Sequence, residues 1–334
     1  MQRIGNLFDK VCSFENLYSA YKKAARGTKG KKETDEFCFF LEYELLKLKR
    51  ELLSGEYRAG KYKYFTIQDP KEREIAVAPF RDRLVHHAII NIIEPIYEKI
   101  FIYDSYATRK EKGTHKAILR TQEFLRKNEW YLKSDISKYF ASIDHDKIIE
   151  IVKMKIKDKQ LLNLIEIIVR NGGINGKGLP IGNLTSQFLA NVYLDRFDHY
   201  VKDELGIKGY IRYMDDSITF GSSAKELNII KTKMEIFLKE HLDLKTKEKA
   251  TYINECKNGL TFLGKRIFSS IIRLKTENLR QSIRRIRKRE IEFQKGLIEE
   301  KKLLHSVESI IGLMIHYNTY NCRKSIFQLK NNEC

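Results

Sequence analysis

Tyr213-Met214-Asp215-Asp216 sets two adjacent carboxylates between two short apolar runs, Tyr210-Ile211-Arg212-Tyr213-Met214 and Ser217-Ile218-Thr219-Phe220. The pattern predicts a β-hairpin with Asp-Asp at its bend. An Asp at a turn is ordinary by itself, because its side chain bonds nearby backbone amides. A third carboxylate changes the reading. Asp135 ends Trp130-Tyr131-Leu132-Lys133-Ser134-Asp135, a segment with the composition of a short strand. A strand delivering one Asp beside a hairpin delivering two concentrates three negative charges, which repel and raise one another's pKa. Divalent cations relieve that cost. Oxygen donors without Cys or His favour Mg²⁺, with Mn²⁺ as a substitute, over zinc. Two such ions about 4 Å apart serve in-line phosphoryl transfer. One activates an attacking hydroxyl and the other stabilises the leaving oxygen.

The elements that must position these carboxylates read as a mixture of helices and short strands. Apolar residues at helical spacing predict helices over Glu15 to Ala25, Phe37 to Leu53, Arg81 to Phe101 and Ser186 to Tyr200. The last carries Phe188, Leu189, Val192, Tyr193 and Phe197 on an apolar face, and Pro95 should start or kink a turn within Arg81 to Phe101. Arg26 to Lys32 reads as a basic loop containing Lys29, Lys31 and Lys32, and Lys71 to Pro79 as a basic turn leading into a strand. Asp82 reads as a helix-start residue, and His86 and His87 as structural residues inside a helix. His115, near another helix start, reads as a packed or capping residue rather than a phosphate contact. Ser282 to Gln294 predicts a basic helix with Ile283, Ile286 and Ile291 on its apolar side.

Composition bounds the partners. The chain has 334 residues and a net charge of +19. That charge fits a polyanionic partner better than a small neutral substrate. Cys12, Cys38, Cys256, Cys322 and Cys334 are scattered without zinc-ligand spacing, which fits a reducing cytoplasm. Charges interrupt the longest apolar runs, so no membrane-spanning helix is expected.

Asp135 with Phe140, then Gly182-Asn183-Leu184-Thr185-Ser186-Gln187, then Tyr213-Met214-Asp215-Asp216 resemble in order the palm motifs of reverse transcriptases. Phe262-Leu263-Gly264 falls where that family has its primer-grip hairpin. The resemblance runs from about Asn6 to Asn321. It implies an α+β right-hand polymerase. Residues 1–127 would form an N-terminal extension and fingers, 128–264 a palm with an antiparallel sheet and inserted fingers helices, and 265–334 a helical thumb.

The resemblance also assigns roles. Asp135, Asp215 and Asp216 are the implied catalytic carboxylates and metal ligands, with Ile136 adding its carbonyl oxygen. Arg73 matches a fingertip arginine that touches the incoming triphosphate; a solvated strand end is the alternative. Phe140 matches the aromatic under the incoming sugar, where bulk excludes a 2′-hydroxyl, with Tyr139 competing. Ile181, Gly182 and Gln187 would line the nucleotide pocket. Lys249 resembles the lysine that protonates pyrophosphate, with Lys245 and Lys247 as rivals. Lys265, Arg266, Arg280, Arg284, Arg285, Arg287 and Lys288 would grip an RNA–DNA hybrid.

Most reverse transcriptases carry Gln where Ile181 stands and Pro where Gln187 stands. This version resembles the reverse transcriptases of diversity-generating retroelements, which copy a template RNA into cDNA with frequent errors at adenines. Implied partners are template RNA, the RNA–DNA hybrid, dNTPs and a small, basic, oligomeric accessory variability protein. Two alternatives stand beside it. One is another branch: a retron, group II intron or antiphage-defence reverse transcriptase. The other is an RNA-binding scaffold that keeps the polymerase shape.

Overall fold

The computed structural model describes residues 3–28, 30–68 and 72–327. Lys29 of the expected basic loop, Lys71 of the expected turn and residues 328–334 lie outside the described residues.

The chain opens with α1 (Phe8–Cys12) and α2 (Phe14–Ala24). Ser13 caps α2 by accepting from the Asn16 amide, as short hydroxyl side chains do at helix starts. The single helix expected over Phe37 to Leu53 is two, α3 (Lys32–Phe39) and α4 (Leu41–Ser54), broken at Phe40 where φ is −108° and ψ 33°. An antiparallel ribbon of β1 (Lys63–Gln68) and β2 (Glu72–Val77) leads into α5 (Phe80–Tyr97). Pro95 sits in the last turn of α5. Next come α6 (Thr114–Lys127), β3 (Trp130–Asp135) and three helices: α7 (Tyr139–Ser142), α8 (His145–Lys153) and α9 (Lys159–Arg170).

The helix α10 (Leu184–His199) passes into a π-helical turn, Tyr200–Glu204. Its expected single apolar face understates its burial. Asn191, Asp195 and Asp198 are buried with the apolar residues, so α10 is enclosed on nearly all sides, with Arg196 left exposed. Beyond it lie β4 (Tyr210–Tyr213), β5 (Asp216–Gly221), α11 (Ala224–Leu242), β6 (Tyr252–Glu255), β7 (Leu260–Phe262), β8 (Lys265–Ile267) and β9 (Ile272–Leu274). The chain continues through α12 (Thr276–Gln294), α13 (Glu300–Ile315) and α14 (Tyr320–Phe327). The stretch after Lys265 was expected to be helical; it starts instead with two strands, and helix begins only at Thr276.

A four-stranded antiparallel sheet in the order β4-β5-β3-β6 divides the interior. Successive strand residues point to opposite faces, and the two sets enter different cores. Leu132 and Tyr210 join the large cluster that includes α5 and α10. Tyr131, Ile211, Ile218 and Phe220 join a second cluster with α6 and the small sheet β7-β8-β9. A third cluster, around Ile286, Ile310 and Met314, joins α12 to α13. Ile291, expected on the apolar side of α12, is exposed.

Candidate active site

Strand register brings two of the predicted carboxylates together. Asp135 at the end of β3 lies directly opposite Asp216 at the start of β5. Side chains opposite one another in an antiparallel pair share a face, with Cβ atoms about 4.5–5.5 Å apart. Asp216 also faces Tyr213 across the β4–β5 hairpin. The bend is therefore Met214-Asp215, one residue earlier than the expected Asp-Asp. Met214 takes a φ of 56°, in the left-handed region. The Ile136 amide donates to the Asp215 carbonyl at 3.3 Å, tying the turn to the end of β3. The segment after α11 is laid on the same end. The Lys247 amide donates to the Asp135 carbonyl, and the Ser137 amide to the Lys245 carbonyl, each at 2.8 Å.

The electrostatics follow from burial. Desolvation pushes the Asp215 carboxyl above the ordinary carboxylate range; Asp135 adds to this, while Arg73 and Arg212 oppose it. Asp216 is pushed up to about 6, first by burial and then by Asp135 and Asp215, against the pull of Lys133. The Lys133 ammonium lies 3.0 Å from Asp216 Oδ2 and donates to the Thr261 carbonyl at 3.3 Å. Asp216 Oδ1 is buried without a hydrogen-bond partner. The three carboxylates do not converge on one point: among the described residues no group of three or more His, Cys, Asp or Glu is placed to hold a metal. Asp216 is drawn toward Lys133 instead. The donor chemistry is nonetheless that of a hard cation, with carboxylate oxygens short of positive charge and one left unpartnered.

Arg73 is on the exposed part of β2, within electrostatic reach of Asp215. That ribbon is held by the middle motif. The Ala76 amide donates to the Ile181 carbonyl at 2.8 Å, and Asn183 Nδ2 donates to the Ala76 carbonyl at 3.1 Å. Gly182 makes this approach with a φ of +114°, and a Cβ there would lie 2.8 Å from Ile75 Cγ2 and 3.0 Å from the Ala76 carbonyl oxygen. Gly182→Ala should therefore cost about 1–3 kcal/mol of stability, read by chemical denaturation.

Phe140 is half-buried, whereas Tyr139 is fully buried with its hydroxyl on the Ala190 carbonyl, so Phe140 is the ring that remains available. Ile181 and Gln187 are partly exposed. Among the lysine rivals, Lys249 is exposed in a short 3-10 turn, Glu248–Ala250, while the backbones of Lys245 and Lys247 lie against β3.

The residues expected to grip a duplex divide. Arg280, Arg284, Arg285, Arg287 and Lys288 are exposed along α12. Arg284, Arg287 and Lys288 line a groove of about 410 Å³ with Ile291 and Leu297. Lys265 departs from expectation. It is only 4% exposed, with its ammonium 4.6 Å from the centre of the Tyr317 ring. Its place in β8, between β7 and β9, turns it into the small sheet's core. Arg266 donates to Thr261 Oγ1 and to the Asn258 carbonyl. Of the histidines read as structural, His86 is buried and His87 half-buried, whereas His115 is exposed. Burial drives the His86 imidazole down to about 3, and His115 Nδ1 pairs with the Tyr317 hydroxyl at 2.8 Å.

Sequence reasoning missed Lys133 and the pair Arg212–Asp198. Lys133 carried a signal: it is two residues before Asp135 and so on the same face. Arg212 carried a weaker one, as a charge inside an apolar strand. Its partner on α10 could not be read from spacing.

Residues 67–267 match the family described as reverse transcriptase (RNA-dependent DNA polymerase). The chain is 26% identical to protein YkfC of Escherichia coli over 273 residues, 68% of this chain and 72% of that protein. It is 30% identical to the group II intron-encoded protein LtrA of Lactococcus lactis over 199 residues, 57% of this chain and 33% of that one. A nuclear intron maturase of Arabidopsis thaliana is 24% identical over 158 residues, 45% of this chain and 20% of that protein. The chain thus spans a third or less of these two intron proteins. Given the order of its motifs, the opposed Asp135 and Asp216, and the match over 67–267, the chain belongs to the reverse transcriptase family.

Proposed function

We propose that this chain is an RNA-directed DNA polymerase with a right-hand arrangement: fingers in 1–127, a palm in 128–264 and a thumb from 265 onward. The observation that carries the reading is the opposition of Asp135 and Asp216 beside the Asp215 turn. Asp135 and Asp215, assisted by Asp216 and the Ile136 carbonyl, are the residues that would hold divalent cations, Mg²⁺ by their oxygen chemistry. Held there, such ions would supply Lewis-acid chemistry for a primer 3′-hydroxyl and a departing pyrophosphate oxygen. The protein's part is positioning and charge. Arg73 offers a planar fork to the triphosphate. Phe140 closes the space a 2′-hydroxyl would need. Lys249, with Lys245 and Lys247 as rivals, supplies a cation at the leaving group. The groove along α12 follows the phosphates of an RNA–DNA hybrid.

The finer reading is a retroelement enzyme that copies its template RNA mutagenically, working with a basic accessory protein. Ile181 and Gln187 support it, since Ile181 gives up a hydrogen bond that Gln would make. A second reading, an enzyme of the group II intron branch, is favoured by the similarity to a group II intron-encoded protein and an intron maturase. Primer extension on an adenine-containing RNA with Mg²⁺ and dNTPs, followed by cDNA sequencing, separates the two. Errors concentrated opposite adenine are expected, and Ile181→Gln should lower them by about tenfold, the scale of one pocket contact. Accurate copying by the unaltered chain overturns the mutagenic reading and leaves the polymerase. No extension, even with native RNA and accessory protein, leaves the scaffold.

A further inference from the structure

We propose that Arg212 is a positioning residue: with Asp198 it forms a buried brace that sets the catalytic turn from behind the sheet. The inference rests on the polymerase reading above. Arg212 immediately precedes Tyr213, and it pairs with Ser217, so its side chain leaves the face opposite to Asp135 and Asp216. It is 1% exposed and its partner Asp198 is 0% exposed. Their contact is a two-pronged fork, with Nε donating to Asp198 Oδ1 at 2.7 Å and Nη2 to Oδ2 at 2.6 Å. The Tyr210 hydroxyl donates to the same Oδ1 at 2.9 Å. Nη1 then reaches both ways, to Asn191 Oδ1 at 3.1 Å and to the Met214 carbonyl at 3.0 Å. Asn191 is itself fixed, donating through Nδ2 to the Ala107 carbonyl at 2.7 Å.

The Met214 carbonyl is the informative contact. Met214 holds a φ of 56°, which an L residue with a long side chain adopts only when its surroundings enforce it. The guanidinium holds the peptide linking Met214 to Asp215, so it orients the residue that carries the carboxylate. Stability does not account for a fully buried ion pair, because apolar residues of similar volume usually serve as well. What the fork adds is a fixed direction. Lysine keeps the charge and loses that direction.

The test uses the full chain in three forms: unaltered, Arg212→Lys, and Arg212→Met with Asp198→Leu and Tyr210→Phe. The triple variant removes the buried charges and the hydroxyl together. Primer extension is measured with melting temperature, KM for dNTP and amide exchange at Ile136, whose N–H reports the Asp215 carbonyl. The triple variant should melt near the unaltered chain, keep KM within about threefold, lose about 10²-fold in kcat and exchange about tenfold faster at Ile136. Arg212→Lys should show the same split to a smaller degree. An unchanged kcat in a folded triple variant overturns the proposal. Should that variant fail to fold, an unchanged kcat and unchanged Ile136 exchange in Arg212→Lys overturn it. An unaltered chain that extends no primer overturns the polymerase reading instead. The exchange measurement then still decides whether the brace holds the turn.

Discussion

Asp215→Asn abolishes primer extension, with a rate loss of at least about 10³-fold, and leaves the melting temperature unchanged or higher. The two effects have one cause. Burial and the neighbouring Asp135 charge make the ionised Asp215 carboxylate costly, and the amide removes that cost together with the charge the reaction needs. Asp216 extends the argument to pH. Its folded pKa is about 6 against an ordinary 3.8, so between those values the native state binds more protons than the unfolded chain. Its contribution is fully present below the ordinary value and is lost as pH rises through about 6. In a chelator, Asp216 should therefore pull stability down across that window, against His86, whose imidazole, driven down by burial, pulls it up. Asp216→Asn should remove that downward pull, so the difference in stability between variant and unaltered protein should change across the window, without restoring synthesis. Buried Asp195, also pushed up to about 6 by desolvation, acts in the same direction and leaves a residual slope. Stability profiles from pH 4 to 6 that run parallel in the two proteins contradict this reading of the site.

Changing Arg284, Arg287 and Lys288 together to Gln weakens primer–template binding by roughly 10²- to 10³-fold at 0.1 M salt. The three line one groove on the exposed side of α12. If each neutralises one phosphate, the slope of log affinity against log salt becomes shallower by about 2–3. The loss should be alike for every sequence, because phosphate contacts carry no base information. Lys265→Gln is the informative control. Its ammonium is buried over Tyr317, so the slope should stay where it is. A large change in slope from Lys265, with none from the α12 triple, would show that the duplex lies against the small sheet.

Much of the candidate site was legible because its signals are local. Asp135, Asp215 and Asp216 stand in short runs whose composition forces strands and a turn, and an antiparallel hairpin needs only its own residues to form. Gly182, expected to line the nucleotide pocket, also packs against β2 with a positive φ, a contact that only the tertiary structure shows. The boundaries were harder. Periodicity alone did not mark the break at Phe40 or the strands after Lys265. Short strands in a small sheet carry few residues from which to read a period.

By itself the sequence determined the chemistry available: three carboxylates, an arginine before the middle motif and a basic helix near the end. Those follow from residue type and from order along the chain. The tertiary structure decided which groups meet. It set Asp135 against Asp216 in register, drew Asp216 onto Lys133, buried Lys265 against Tyr317 and placed the Arg212–Asp198 pair behind the Met214-Asp215 turn. Each of these joins residues whose separation in sequence says nothing of their distance in space. Burial, which raises the pKa of Asp215 and Asp216, is likewise a property of the packed sheet and not of any one segment.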